Sequence, residues 1–181
     1  LKSSGSEHPS HLFKVAEYYA RQSQYNQAYY AYYRYLQHCP DGDHVSTAKE
    51  RMSKIHPYAK AVYLEKKEGE FTRFYPKATM ICSESEPGDE LYIIQKGSIK
   101  VSKIVDDKEV LLALLKAGDI FGEMAPLENK PRSASGIAHA DTTVMVVNRA
   151  NFQRMVQTQP QLITRLTQLL AERIWVVYRQ L

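Results

Sequence analysis

Residues 121–135 read Phe-Gly-Glu-Met-Ala-Pro-Leu-Glu-Asn-Lys-Pro-Arg-Ser-Ala-Ser, and they set one carboxylate, Glu123, and one arginine, Arg132, around a short turn with small residues between. The arginine offers a planar fork of donors that suits a phosphate, and the carboxylate accepts a proton from a hydroxyl. A 3′,5′-cyclic phosphate beside a ribose 2′-hydroxyl presents both features on one small ligand. Gly122 and Ala125 carry almost no side chain, so the backbone can close on such a ligand. The stretch beginning at Met124 predicts a short helix whose first amide hydrogens favour an anion and whose first turn tolerates Pro126.

Turn and strand signals extend the pattern in both directions: Tyr75-Pro76-Lys77, Pro87-Gly88-Asp89, Leu91-Tyr92-Ile93-Ile94, Gly97, Ile99, Val101 and Gly118-Asp119. On these residues the 121–135 segment resembles the phosphate-binding cassette of the cyclic-nucleotide-binding domain family, of the catabolite activator protein and protein kinase A regulatory subunit type. The resemblance covers roughly residues 60–181. It implies a phosphate and ribose site made by Gly122, Glu123, Met124, Ala125, Arg132, Ser133 and Ala134. Glu123 takes the ribose, Arg132 the phosphate, Ser133 adds a hydroxyl to the phosphate, and Ala134 is small enough for the strand backbone to pass. It implies further that Val101 and Leu112 pack on the base and that a long C-terminal helix closes over it. The family's adenine-reading threonine falls at Val177, which has neither donor nor acceptor, so Tyr178 or the ring of Trp175 is expected to cap the base. For Trp175 a core or interface role is an equal alternative. The implied ligand is cAMP, with cGMP open because Ser133 can also serve the amino group of a syn guanine.

The composition is ordinary for a globular chain: 181 residues, 44% hydrophobic and 24% charged. No run of about eighteen apolar residues occurs, and the polar start Leu1-Lys2-Ser3-Ser4-Gly5-Ser6 is not expected to act as a signal peptide. The missing initiator Met marks the sequence as an expected fragment. Two cysteines, Cys39 and Cys82, are too few for a disulfide framework or an iron–sulfur cluster, so a reducing cytoplasm is expected. A net charge of +4 spread along the chain argues against nucleic acid as a direct ligand. The six histidines lack metal-ligand spacing, and no kinase glycine loop or nucleophile elbow is present, so no enzymatic activity is expected.

Residues 8–56 read as helical, with eight of the thirteen tyrosines between Tyr18 and Tyr35. Periodicity predicts helices over 9–21 and 25–38, broken at Gln22–Gln24, and a third over about 45–55. Leu12, Val15, Ala16 and Tyr19 with Tyr25, Ala28, Tyr32, Tyr35 and Pro40 resemble a tetratricopeptide repeat over its period of about 34 residues, with Ala16 and Ala28 at the helix crossing. The tyrosines then either line a groove for a protein partner or pack the hairpin on the next domain.

From residue 57 to 160 the pattern changes to short strands, predicted over 79–83, 90–95, 98–103, 109–115, 133–138 and 142–148, with glycine and aspartate turns. The expected fold is α+β: an antiparallel, jelly-roll-like β-roll with flanking helices, preceded by the helical hairpin. Ile99, Val101 and Leu112 are expected to floor a pocket opposite the cassette. A short helix over 150–157 precedes residues 161–181, whose stripe of Leu162, Leu166, Leu169, Leu170, Ile174, Val177 and Leu181 is expected to form a lid and a homodimer seam. The chain stops at Leu181, where bacterial regulators of this type begin a helix-turn-helix, so direct DNA binding is not expected of it. The rival expectation is a protein-interaction scaffold whose β-roll is structural.

Overall fold

The computed structural model describes residues 7–60 and 72–158, with scattered positions from 160 to 175. All seven apolar residues of the 161–181 stripe, Val177 among them, lie outside the described residues, as does Tyr178. Among the described residues no helix is long and apolar enough to cross a membrane.

Three helices open the chain: α1 (Glu7–Arg21), α2 (Tyr25–His38) and α3 (Val45–Ile55), followed by a single 3-10 turn over His56–Tyr58. The first two form an antiparallel pair because their apolar residues recur at helical spacing and meet: Leu12, Val15, Ala16 and Tyr19 face Ala28, Tyr32 and Tyr35, all buried. Ala16 and Ala28 are fully buried, as expected where small residues let two backbones approach.

The β-roll is two four-stranded antiparallel sheets. Sheet A runs β1 (Thr72–Tyr75), β8 (Thr142–Val147), β3 (Leu91–Lys96), β6 (Ile120–Phe121); sheet B runs β2 (Met80–Cys82), β7 (Ser135–Ala138), β4 (Ser98–Val105), β5 (Lys108–Lys116). Period-two alternation sends Tyr92, Ile94, Val144 and Val146 of sheet A inward against Ile81, Ile99 and Ala138 of sheet B. Ile99 is therefore core beneath the sheets and does not reach the pocket floor expected of it, whereas Val101 and Leu112 do. Asp106 and Asp107 both take positive φ (48° and 58°), which is the backbone of a two-residue type I′ turn joining β4 to β5. β5 is an edge strand on which Leu111, Leu112 and Leu114 are all exposed.

Two helices complete the roll, α4 (Met124–Glu128) and α5 (Arg149–Thr158). At the start of α5, Asn148 and Asn151 exchange side-chain to main-chain hydrogen bonds of 2.8 and 3.0 Å, a reciprocal cap that satisfies two of the helix's orphan donors.

Strands β1 and β6 were not expected. β6 is two residues long and has no period to read, and β1 is inverted: Arg73 points inward and Phe74 outward, 54% exposed. Arg73 is tolerated there because its guanidinium meets Glu90 through two hydrogen bonds of 3.0 and 3.1 Å, and the Tyr92 hydroxyl donates to the same carboxylate at 3.0 Å.

The helical pair packs on the outer face of sheet B, where Met80 and Ile137 join the helical core. Polar tips of the helices finish the contact: Gln27 donates to the Ala78 carbonyl at 3.2 Å, the Glu109 amide donates to the Tyr18 hydroxyl at 3.0 Å, and Arg21 pairs with Asp107. Five of the hairpin tyrosines, Tyr18, Tyr19, Tyr30, Tyr32 and Tyr35, are buried, so most of the tyrosine density is packing with a hydrogen-bonded tip.

Because Arg73 and Glu90 are both about 4% exposed, Arg73→Met leaves an uncompensated buried carboxylate and is expected to cost about 3–5 kcal/mol. Urea unfolding measures this, and a loss under about 1 kcal/mol would show the pair to be dispensable.

Candidate functional site

A cavity of about 700 Å³ opens between sheet B and the segment from β6 into α4. That volume is within the range of small-molecule sites. Its lining brings together the residues singled out from sequence: Gly122, Glu123, Met124, Ala125, Arg132, Ser133 and Ala134 on one side, Val101 and Leu112 on the other. Trp175 is 67% exposed and is not among the lining residues.

Local structure explains the arrangement. Strand β6 ends at Phe121, and Gly122 turns the chain with φ +77°, a conformation that side chains rarely adopt. A Cβ there would also lie 2.7 Å from the Arg132 guanidinium, so the position is doubly restricted to glycine. Glu123 follows as the residue preceding α4 and is 2% exposed; Ala125 is equally buried, and Met124 is open to the cavity. The chain leaves α4 through Asn129 in the left-handed region and returns as 131–134, with Ser133 exposed, before entering β7.

Arg132 is 4% exposed. Its Nη1 donates to the Glu90 carbonyl at 2.6 Å and to the Gly122 carbonyl at 2.7 Å, and its guanidinium lies 5.4 Å above the Tyr92 ring. Tyr92 in turn stacks on Phe121 at 4.8 Å. No ion pair to Arg132 occurs among the described residues, and its Nε is buried without a hydrogen-bond partner among them. Burial opposes the charge, yet Cys82, Tyr92 and Glu86 nearby hold the pKa of Arg132 above its ordinary value, so it remains a cation. The site is thus a buried, permanent positive charge held by main-chain carbonyls and an aromatic face at one wall of a cavity, with a buried carboxylate, Glu123, on the same wall. Chemically, such a pair of groups can meet an anion and a hydroxyl.

Residues 72–159 match the family model described as the cyclic nucleotide-binding domain. This part of the chain belongs to that family. Among curated proteins, the chain is 34% identical over 85 residues to the cAMP-dependent protein kinase regulatory subunit of Pyricularia oryzae, covering 47% of this chain and 21% of that one. It is 32% identical over 103 residues to the Cyclic AMP receptor protein of Thermus thermophilus, covering 56% of this chain and 48% of that one. Among solved structures, the catabolite activator protein of Thermus thermophilus superposes with a TM-score of 0.54 at 30% identity, over 60% of this chain and 52% of the other. The chain therefore spans about half or less of the length of these relatives. Its β-roll is a cyclic-nucleotide-binding regulatory domain of the same fold.

Sequence reading missed the support beneath Arg132. In the sequence Glu90 and Tyr92 read only as strand residues and Gly88 only as a turn residue. The carbonyl that Glu90 supplies has no sequence signature, since every residue carries one. Cys82, Leu115, Phe121, Ser135 and Gly136 also line the cavity. Of these, Leu115 was legible in principle from its alternation with Ala113 along β5.

A Cβ on Gly88 would lie 2.6 Å from the Arg132 guanidinium, which is pinned and cannot swing aside freely. Gly88→Ala is expected to cost about 1–3 kcal/mol by overpacking. In an Arg132→Ala background the obstacle is gone, and the same substitution is expected to cost under about 0.5 kcal/mol. Equal costs in the two backgrounds by urea unfolding would exclude the contact.

Proposed function

We propose that the chain is a regulatory module switched by a purine 3′,5′-cyclic monophosphate, cAMP by preference, and that it is not an enzyme. The observation that carries this reading is the buried cation Arg132, which makes no ion pair among the described residues, facing a cavity that also holds the buried Glu123. In this reading Arg132 meets the cyclic phosphate, with Ser133 and the Gly122–Ala125 backbone around it and Ala134 giving room. Glu123 accepts the ribose 2′-hydroxyl, and Val101 and Leu112 pack on the base. Val177 and Tyr178 belong to a lid formed by residues 161–181, which also make a homodimer seam. Residues 8–56 are a tetratricopeptide-like unit available to a protein partner and 57–160 the sensing unit. Two free, buried cysteines are compatible with the cytoplasm. The printed names of the relatives, a cAMP-dependent kinase regulatory subunit and a Cyclic AMP receptor protein, support cAMP as the ligand.

Binding neutralises a charge that folding has already placed out of water, so the phosphate gains a preorganised partner at little reorganisation cost. The ligand then shifts whichever arrangement of the lid binds it better, by its difference in affinity for the two. A second reading, cGMP preference, is supported by one observation: Ser133 is exposed and among the residues lining the cavity, and a hydroxyl can serve an amino group as well as a phosphate.

Millimolar cAMP is expected to raise the melting temperature by mass action. Arg132→Ala is expected to weaken binding about ten- to a hundredfold, the size of a charge-assisted hydrogen bond of about 1.5–3 kcal/mol. Calorimetric titration with cAMP and cGMP checks both and ranks the two bases. Absence of binding by either nucleotide would refute the reading.

A further inference from the structure

The wall of the cavity has a back side. Residues 83–88, the first part of the connection from β2 to β3, run between the helical hairpin and the cassette. Toward the cassette they pair with Arg132 through main chain alone: the Arg132 amide donates to the Glu86 carbonyl and the Ser85 amide to the Arg132 carbonyl, both at 2.8 Å. Gly88, at the end of the segment, lies against the guanidinium. Toward the hairpin the same segment presents two buried side chains: Glu84, whose carboxylate lies 3.2 Å from the His11 ring of α1, and Glu86, which faces α2.

The Glu86 carboxylate is held almost entirely by α2. Arg34 pairs with it at 2.7 Å, and the Tyr30 hydroxyl lies 3.1 and 3.2 Å from its two oxygens and 3.1 Å from the Ile81 carbonyl. The Ser83 amide donates to it at 2.9 Å, closing the loop on itself. Burial first, and then the charge of Glu86, raise the Tyr30 pKa far above its ordinary value, so its hydroxyl stays a donor. The Arg34 and Glu86 side chains are 13% and 3% exposed, so water screens this pair little.

We propose that α2 is a positioning element of the cyclic-nucleotide site: Arg34 and Tyr30 hold the Glu86 carboxylate, and with it the 83–88 segment that backs Arg132, so that pocket occupancy and hairpin docking are coupled. The proposal rests on the functional reading above and adds to it where the signal goes. The sign follows from charge. Glu86 lies close enough to act electrostatically on Arg132, and Arg34 supplies its counter-charge. Without Arg34, a negative carboxylate stands uncompensated behind the place where a negative phosphate must bind, and the segment supporting Arg132 loses its anchor. Both effects weaken the ligand. Linkage makes the coupling reciprocal, so the ligand must tighten the hairpin against the roll.

Cyclic AMP titrated into the full chain tests this. Arg34→Met is expected to weaken binding about five- to fiftyfold, within the range of ordinary site-to-site coupling. In a Glu86→Gln background, where no carboxylate needs compensation, the same change is expected to alter affinity less than about twofold. A purely structural role for Arg34 predicts the same loss in both backgrounds, and that result overturns the proposal. Tyr30→Phe removes only the hydroxyl and is expected to cost about two- to tenfold, the size of one hydrogen bond. It decides the matter if Arg34→Met fails to fold, and unchanged affinity in it overturns the proposal. Saturating cAMP is also expected to slow amide hydrogen exchange over residues 25–38 together with 121–135; protection confined to 121–135 overturns the coupling. A wild-type chain that binds neither cAMP nor cGMP refutes the functional reading and the proposal with it. Wild-type binding with unchanged affinity in Arg34→Met overturns the proposal alone.

Discussion

The Arg132 guanidinium is kept out of water by two main-chain carbonyls and the face of Tyr92, with no ion pair among the described residues to neutralise it. Stripping a cation of its hydration costs several kcal/mol even after the protein relaxes. Hydrogen bonds to a charged group return about 1.5–3 kcal/mol each and an aromatic face about 0.5–2. These terms hold the side chain in place and offset much of the cost, but they leave the charge itself uncancelled. A carboxylate in the same position would hold the fold as well and would close the site to anions. The structure instead invests in neutral partners.

Those partners are themselves fixed by nested constraints. The Glu90 carbonyl is steady because the Glu90 side chain is locked by Arg73 and Tyr92. The Gly122 carbonyl is held in place by a turn at φ +77°, which a glycine adopts without strain and where a Cβ would meet the Arg132 guanidinium. Tyr92 is stacked on Phe121, whose ring also packs against Gly136. Sheet B is thus used on both faces, with the roll core and cavity on one side and the helical hairpin on the other. The loop 83–88 touches both the hairpin and the cassette. The regulatory domain and the helices before it share one mechanical frame, although neither needs a residue from the other to line the cavity.

The fold and the cassette were legible because they are written in local code. Asp106-Asp107 names its own turn, the 121–135 stretch carries charge and small residues in a fixed order, and the alternation in β3 and β8 is regular. What could not be read shares a different property. Strand β1 hides because its inward residue is an arginine and its outward one a phenylalanine, which inverts the usual pattern until Glu90 is known to be opposite. Ile99 has the same parity as Val101, so period alone could not tell the core from the cavity floor. The tyrosines of α2 have one spacing whether they line an open groove or, as Tyr30, Tyr32 and Tyr35 do, bury their rings, and nothing in that spacing marks Tyr30 as the one whose hydroxyl reaches the Glu86 loop. The Glu86 link depends on contacts across more than fifty residues of sequence, between Tyr30 or Arg34 and a loop, and no window of the chain contains it.

The edge strand β5 has a consequence for how this protein behaves in company. Nine residues long, with three exposed leucines and one side of its backbone facing no strand among the described residues, it is a template on which a second strand can add. Its ends are both lysine, Lys108 and Lys116. Were two copies to zip these edges together antiparallel about Leu112, each Leu112 would meet its counterpart and each Lys108 would lie directly across from the other copy's Lys116. Like charges would then meet at both ends of the ribbon. Leu112 thus serves the cavity that it lines, while the lysines at the two ends of the strand disfavour that pairing of copies through it.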